Sequence, residues 1–384
     1  MRGTKVNSQL LAEIRRYGKF DVSGCYNCGS CTVICNLVED SGSFPRRSMQ
    51  YGLLGLEAPL LSGLEPWLCY SCGDCSTTCP RQAEPAEAMM TLRRYLTARY
   101  DWTGLAAKIY SSTIWKIGSL LAVGFLVLLL FVFYHLYIAK LSLTDLASTS
   151  LGLEHMFGKI SYFTLVVFLL PLLILASNAL RMHRFIMYGG EKIKISPWLY
   201  LTELKTLILH TFTQRRLGDC TEKGRWIKHL LLFFGFVLMS VILIFFLKWF
   251  QTDKIYPLYH PQRWLGYLAT FVLIYGSAES LLGRIKKREP IYRFSEPSDW
   301  TLPLLLLLTA LSGIIVHIFR YLGLSMAAHY AYLVHLIITV PLLMVELPFG
   351  KLAHLLYRPL AIYFQQVRAK ALAPQTLEGV KEAA

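Results

Sequence analysis

Six stretches of roughly twenty mainly apolar residues leave this chain few ways to fold. They lie at about 114–138, 160–182, 227–250, 264–283, 300–320 and 327–349. Inside a hydrocarbon layer about 30 Å thick no water bonds to the backbone, so each span must satisfy its own amide groups. Segments of this length do so as α-helices. Charged residues make up only 16% of the chain, against about 25% in soluble domains. The apolar character sets in near Ile114, and the first hundred positions are mixed and polar. The sequence therefore predicts an all-α protein in three parts. Residues 1–110 form a soluble domain. Residues 111–360 form a six-span bundle with an interfacial segment near 190–225. Residues 361–384 form a tail.

The connectors are lopsided in charge. The loop 181–225 carries nine Lys or Arg and 284–293 carries five, whereas the opposite connectors carry six in all. That bias puts both termini and the basic loops on the cytoplasmic side of the inner membrane. The first twenty residues lack the apolar core of a signal peptide, which gives the same expectation. The net charge of +15 then reflects topology and anionic lipid, and no nucleic-acid partner is expected. The stretch "PWLYLTELKTLILHTF" (197–212) is apolar along one face and is expected to lie flat at the interface.

Eight of the nine cysteines fall in two runs, "CYNCGSCTVIC" (25–35) and "CYSCGDCSTTC" (69–79). Both have the C-x2-C-x2-C-x3-C spacing. In that pattern three cysteines wrap one [4Fe–4S] cube and the fourth reaches a neighbouring cube. The expected sets are Cys25, Cys28, Cys31 and Cys79 for one cluster, and Cys69, Cys72, Cys75 and Cys35 for the other. Zinc ribbons use paired C-x2-C knuckles rather than four cysteines in eleven residues. A reducing compartment argues against disulfides. The ninth cysteine, Cys220, stands alone and is expected to be unligated.

Ionisable side chains in a span are costly, so the histidines there are functional candidates. His335 lies in the last span and His354 at its end, 19 residues on, or about 28 Å along a helix. His229 opens the third span at the depth of His354, and His317 lies near the outer end of the fifth. Two histidine pairs at two depths would suit two b haems with bis-imidazole ligation. His135 is near the outer end of the first span. His183, between Arg181 and Arg184, is expected to meet headgroups. His155, His210, His260 and His329 have no assigned role.

Two family resemblances follow from these residues. The cysteine domain has runs starting 44 residues apart, a helical insert, and Asn36 where Pro80 marks the second run. In these features it resembles the helical ferredoxin of the heterodisulfide reductase C-subunit family. The stretch "VHLIITVPLLMVELPFGKLAH" (334–354) resembles the last helix of the cytochrome b (gamma) subunits of respiratory nitrate reductases. There a His opens the helix and another closes a Pro-Phe-x-(Arg/Lys)-Leu-x-His motif, matched by Pro348, Phe349, Lys351, Leu352 and His354. The resemblance implies haem ligation by His335 and His354, with His229 as partner of His354. That family's second His on the third span is Met239 here. The outer haem would then take His317, Met239 or His135 beside His335, or be absent.

A helical ferredoxin joined to such a cytochrome resembles the C-subunit family of the quinone-interacting membrane-bound oxidoreductases. That resemblance implies several partners: menaquinone, cytoplasmic flavin- and iron–sulfur-containing proteins related to the A-subunit of heterodisulfide reductase, and adenylylsulfate reductase. The chain would be their quinone-reactive electron-transfer subunit in dissimilatory sulfur metabolism. Two rivals remain: a membrane subunit of a heterodisulfide-type reductase, and a haem-free anchor for a ferredoxin. No G-x-G-x-x-G or Cys-Cys-Gly stretch occurs, so nucleotide binding and a disulfide-reducing site are not expected in this chain.

Overall fold

The computed structural model describes residues 5–38, 42–140, 153–189, 195–219, 223–250 and 254–383. These residues form helices and connectors with no strand among them. Six helices among the described residues are long and apolar enough to cross a membrane: Thr113–Ile138, Tyr162–Tyr188, Lys223–Phe245, Pro261–Lys286, Pro297–Tyr321 and Ser325–Phe349. The all-α expectation and the six expected spans are thus met. Their starts carry ordinary signals. Ser112 accepts from the Trp115 amide at the first span. Pro261 and Pro297 open the fourth and fifth, where a missing amide hydrogen costs nothing. A capping box of Glu296 and Asp299 closes the fifth span's first turn.

The outward faces stay apolar. Leu121, Phe125 and Phe133 on the first span are all more than half exposed, a surface suited to lipid tails. Neighbouring spans pack in the order three, four, five, six, one, and the second lies against the end of the sixth. Lipid supplies no hydrophobic drive between helices, so close approach depends on small residues. A side chain on Gly276 would meet Leu232 at 2.8 Å, and one on Gly124 would meet Ile337 at 3.2 Å.

The sixth span does not run through smoothly. A π-turn at Leu342–Glu346 and a 3-10 turn at Lys351–Ala353 lead into a helix from His354 to Ala383. Inside that bend Glu346 is fully buried and paired with Lys116 of the first span. It also accepts from the Thr301 hydroxyl at 2.8 Å.

The cysteine-bearing part is a set of short helices around the longer Pro85–Tyr100. Its core continues into the bundle. Leu10, Trp67, Tyr95 and Tyr100 share one cluster of buried side chains with Met182, Ile186 and Tyr357. Charge stitches the same boundary. Arg94 reaches Asp299 at 2.9 Å and Glu87 at 3.2 Å, and Lys351 reaches Asp299 at 2.7 Å. The segment expected as a tail is helical, and its Ala361, Ile362, Tyr363, Phe364 and Val367 are buried in the common core. In the expected interfacial segment, Pro197–Thr202 and Leu204–Thr213 are helices, and the second packs along the C-terminal helix.

Candidate cluster and haem site

The two cysteine runs fold alike because their glycines and small polar residues sit at equivalent positions. Asn27 and Ser71 take left-handed backbone (φ 56° and 53°), and so do Gly29 and Gly73 (φ 86° and 95°). Each pair curls the chain so that successive cysteines point inward. A short helix follows, Ser30–Val33 or Asp74–Thr77, with the third cysteine in its first turn. Backbone amides turn onto sulfur: Asn27 onto Cys25 at 3.4 Å, Ser71 onto Cys69 at 3.3 Å and Ala83 onto Cys79 at 3.4 Å.

The structure gathers the cysteines into two groups. One cavity is lined by Cys25, Cys28, Cys31 and Cys79, and the other by Cys35, Cys69, Cys72 and Cys75. The fourth sulfur of each comes from the other run. No three His, Cys, Asp or Glu among the described residues converge on a point that suits a single metal ion. A four-iron cube spreads its thiolates over four corners and needs the wider spacing. Burial pushes the thiol of Cys35 up to about 11 and that of Cys75 higher still. Binding iron there must therefore displace protons. Cys28 differs: it is exposed, and the Ser30 hydroxyl 3.3 Å away lowers its thiol. Cys220 lies outside the described residues.

Beside the second cysteine group stand two of the expected histidines. The rings of His229 and His354 have centroids 6.0 Å apart. Metal–imidazole bonds of about 2.0 Å on each side of one iron would set two ring centres about 6 Å apart. Each Nδ1 is already engaged, donating to Gln214 Oε1 at 2.6 Å in His229 and to the Lys351 carbonyl at 2.5 Å in His354. Such contacts orient a ligating imidazole and leave Nε2 for the metal. Burial above all, with His229 and Arg358 adding, holds His354 well below the usual imidazole range. Both histidines line a cavity of about 260 Å³ that also touches Tyr70, Ser71, Arg225 and Arg358.

The expected outer pair is not formed. His317 meets the Tyr267 hydroxyl at 2.8 Å, and its ring lies against Tyr321. His335 meets Ser312 at 2.9 Å instead. Ser312 stands five residues before His317, about 7.5 Å along the helix, so the two histidines lie at different depths. Met239 packs against the main core. His135 lies 5.4 Å, ring to ring, from His329, a residue given no role from sequence.

His183 is partly buried. It meets the Tyr200 hydroxyl at 2.9 Å and packs on Phe364. His260 caps the fourth span by accepting from the Gln262 amide, and His210 lines a cleft with His229 and His354. Nothing is described for the side chain of His155. Sequence reasoning also passed over Glu346, Lys116, Arg225 and Arg358. The last two had a legible signal, since 225 to 229 and 354 to 358 are each one helical turn.

Comparison with known proteins agrees with the cysteine geometry. The 4Fe-4S dicluster domain family matches residues 21–83. The chain is 28% identical over 122 residues to the second iron–sulfur C-subunit of CoB–CoM heterodisulfide reductase from Methanocaldococcus jannaschii, covering 30% of this chain and 64% of that protein. It is 32% identical over 87 residues to the C-subunit of ferredoxin:CoB-CoM heterodisulfide reductase from Methanosarcina mazei, covering 23% of this chain and 53% of the relative. The chain thus spans between half and two thirds of the length of these curated relatives. No solved structure matches it. The cysteine part thus matches a 4Fe-4S dicluster domain and is similar to the heterodisulfide reductase C-subunits of both relatives.

Proposed function

We propose that this chain exchanges electrons between menaquinone in the cytoplasmic membrane and cytoplasmic flavin- and iron–sulfur-containing proteins related to the heterodisulfide reductase A-subunit. The link to adenylylsulfate reductase belongs to the same reading. One observation carries it. The helices that present His229 and His354 also hold the second cysteine loop through Arg225 and Arg358. A histidine pair suited to a b haem therefore adjoins a cysteine group suited to a cluster. When bound, haem and clusters supply one-electron exchange.

The chain's residues supply placement. His229 and His354, held through Nδ1, would hold the haem iron. Cys69, Cys72, Cys75 and Cys35 would hold the cluster on the bundle side, and Cys25, Cys28, Cys31 and Cys79 the one beyond it. Around the first loop Tyr26 and Val33 are 70% and 89% exposed beside Cys28, an edge suited to a docked redox partner. The geometry supports one haem at this end. It lends no support to an outer haem between His335 and His317.

An optical spectrum before and after dithionite tests this reading. Reduced b-type bands are expected, and their absence would leave the haem-free anchor. His354→Ala should remove those bands while both clusters remain. The two relatives favour a second reading, a membrane subunit of a heterodisulfide-type reductase. Co-purification of a heterodisulfide-reducing protein in place of a flavin- and iron–sulfur-containing one would select it.

A further inference from the structure

The second cysteine loop is surrounded by guanidinium groups that ligation does not require. Arg225 donates from Nη2 to the Tyr70 carbonyl at 2.7 Å and from Nη1 to the Ser71 carbonyl at 3.2 Å. Arg358 donates to the Cys69 carbonyl at 2.8 Å and lies over the Tyr70 ring at 4.0 Å. Arg93 donates to the Pro66 carbonyl at 2.6 Å. Three consecutive carbonyls of one loop thus meet positive charge. Opposing carboxylates are engaged elsewhere or distant: Glu279 pairs with Lys228 and Arg288, Asp299 with Arg94 and Lys351, and Glu289 comes within 3.8 Å of Arg225 and is 31% exposed.

The first loop has weaker counterparts. Arg46 reaches the Asn27 carbonyl and Arg81 the Gly24 carbonyl, both at 3.4 Å in exposed surroundings. Water screens charge there, whereas the side chain of Arg225 is 14% exposed.

A reduced cluster carries one more negative charge than an oxidised one. Burial alone makes that charge harder to add, so the buried second group would be the harder to reduce. Fixed cations nearby reverse the order. We propose that Arg225 and Arg358 are positioning residues that make the cluster of the second cysteine run the more readily reduced of the two. They stand one turn from His229 and His354, so the same two helices hold the histidines and set the bias. An electron shared between the two clusters then rests on the bundle-side cluster in preference to the exposed first one. This inference rests on the cysteine assignment above and needs neither haem nor quinone.

The test is a redox titration of the full-length chain followed by electron paramagnetic resonance. Cys28→Ser identifies the first cluster by the signal it perturbs. In the unmodified chain the second cluster should reduce at the higher potential. Arg225→Gln and Arg358→Gln should each lower its reduction equilibrium about tenfold, or ~59 mV for one electron, and leave the first cluster unmoved. Arg225→Lys and Arg358→Lys should hold the original potential. Arg46→Gln should not move the second signal. The inference falls if the second cluster is unmoved in both Gln variants or is the lower of the two from the start. It also falls if the Lys variants lose the cluster, because shape rather than charge would then matter. Absence of two four-iron signals in the unmodified chain would instead overturn the cysteine assignment.

Discussion

The two cysteine loops have nearly the same backbone and quite different surroundings. Both use two left-handed residues and a short helix to gather three sulfurs. In the second loop Cys69 and Cys75 are buried, and Gly73 is pressed so closely by Pro290 that a side chain there would collide. In the first, Cys31 is also buried but Cys28 is exposed, and Gly29 has nothing nearer than Arg46 at 3.5 Å. Local geometry decides that a loop can bind a cube. The neighbours decide whether it faces the bundle or a partner, and how readily it is reduced.

That comparison can be broken most sharply at the buried sulfurs. Cys75→Ser should abolish the second cluster, cutting cluster iron from about eight to about four atoms per chain, and should loosen the domain around it. Cys28→Ser, on the exposed side, should alter the first cluster and leave the fold intact. Iron analysis with thermal unfolding in detergent distinguishes the two. Equal losses from both variants would mean that burial does not separate the loops.

The next effect concerns the platform that holds the second loop. Lys116→Met would leave Glu346 buried without its cation, at a cost of ~3–5 kcal/mol. Adding Glu346→Leu should recover much of the loss, because a buried ion pair is often replaceable by apolar residues. A double variant as unstable as the single one would show that Glu346 has another essential partner.

A smaller effect follows pH. Glu87 sits on the helix that links the second loop to Asp299 through Arg94. Burial raises its carboxyl to about 7, with Arg94 opposing. A raised carboxyl binds its proton more tightly in the folded state. Its stabilising contribution is therefore complete below about pH 4.5 and is lost as pH rises through about 7. Glu87→Gln should flatten that part of the stability profile, read as melting temperature against pH. The least effect belongs to Ser30→Ala. It removes the hydroxyl 3.3 Å from Cys28 and should shift only the first cluster's potential, by a few-fold at most in the reduction equilibrium.

Much of the fold was legible because its signals are local. Twenty apolar residues compel a helix in lipid, and C-x2-C-x2-C-x3-C places three sulfurs within one turn of chain. Even the exchange of fourth cysteines follows, since one short loop does not cover four corners of a cube. The pairing of His229 with His354 rested on depth and a motif, and there the structure brings the two rings together. For His317 and His335 the same reasoning missed by more than a turn. Depth read from sequence carries no helix rotation, and Tyr267 and Ser312 claimed the two rings.

By itself, then, the sequence determined the elements: six spans, two cysteine loops, and histidines inside apolar helices. Only the tertiary structure decided which loop lies against the bundle. It also decided that Arg225 and Arg358 grip that loop, and that Glu346 meets Lys116 rather than lipid. The physical reason is range. Helix formation and loop curvature depend on neighbours a few residues away, whereas burial and charge around a cluster depend on side chains 150 to 290 positions distant, such as Arg225 and Arg358 on Tyr70 and Cys69.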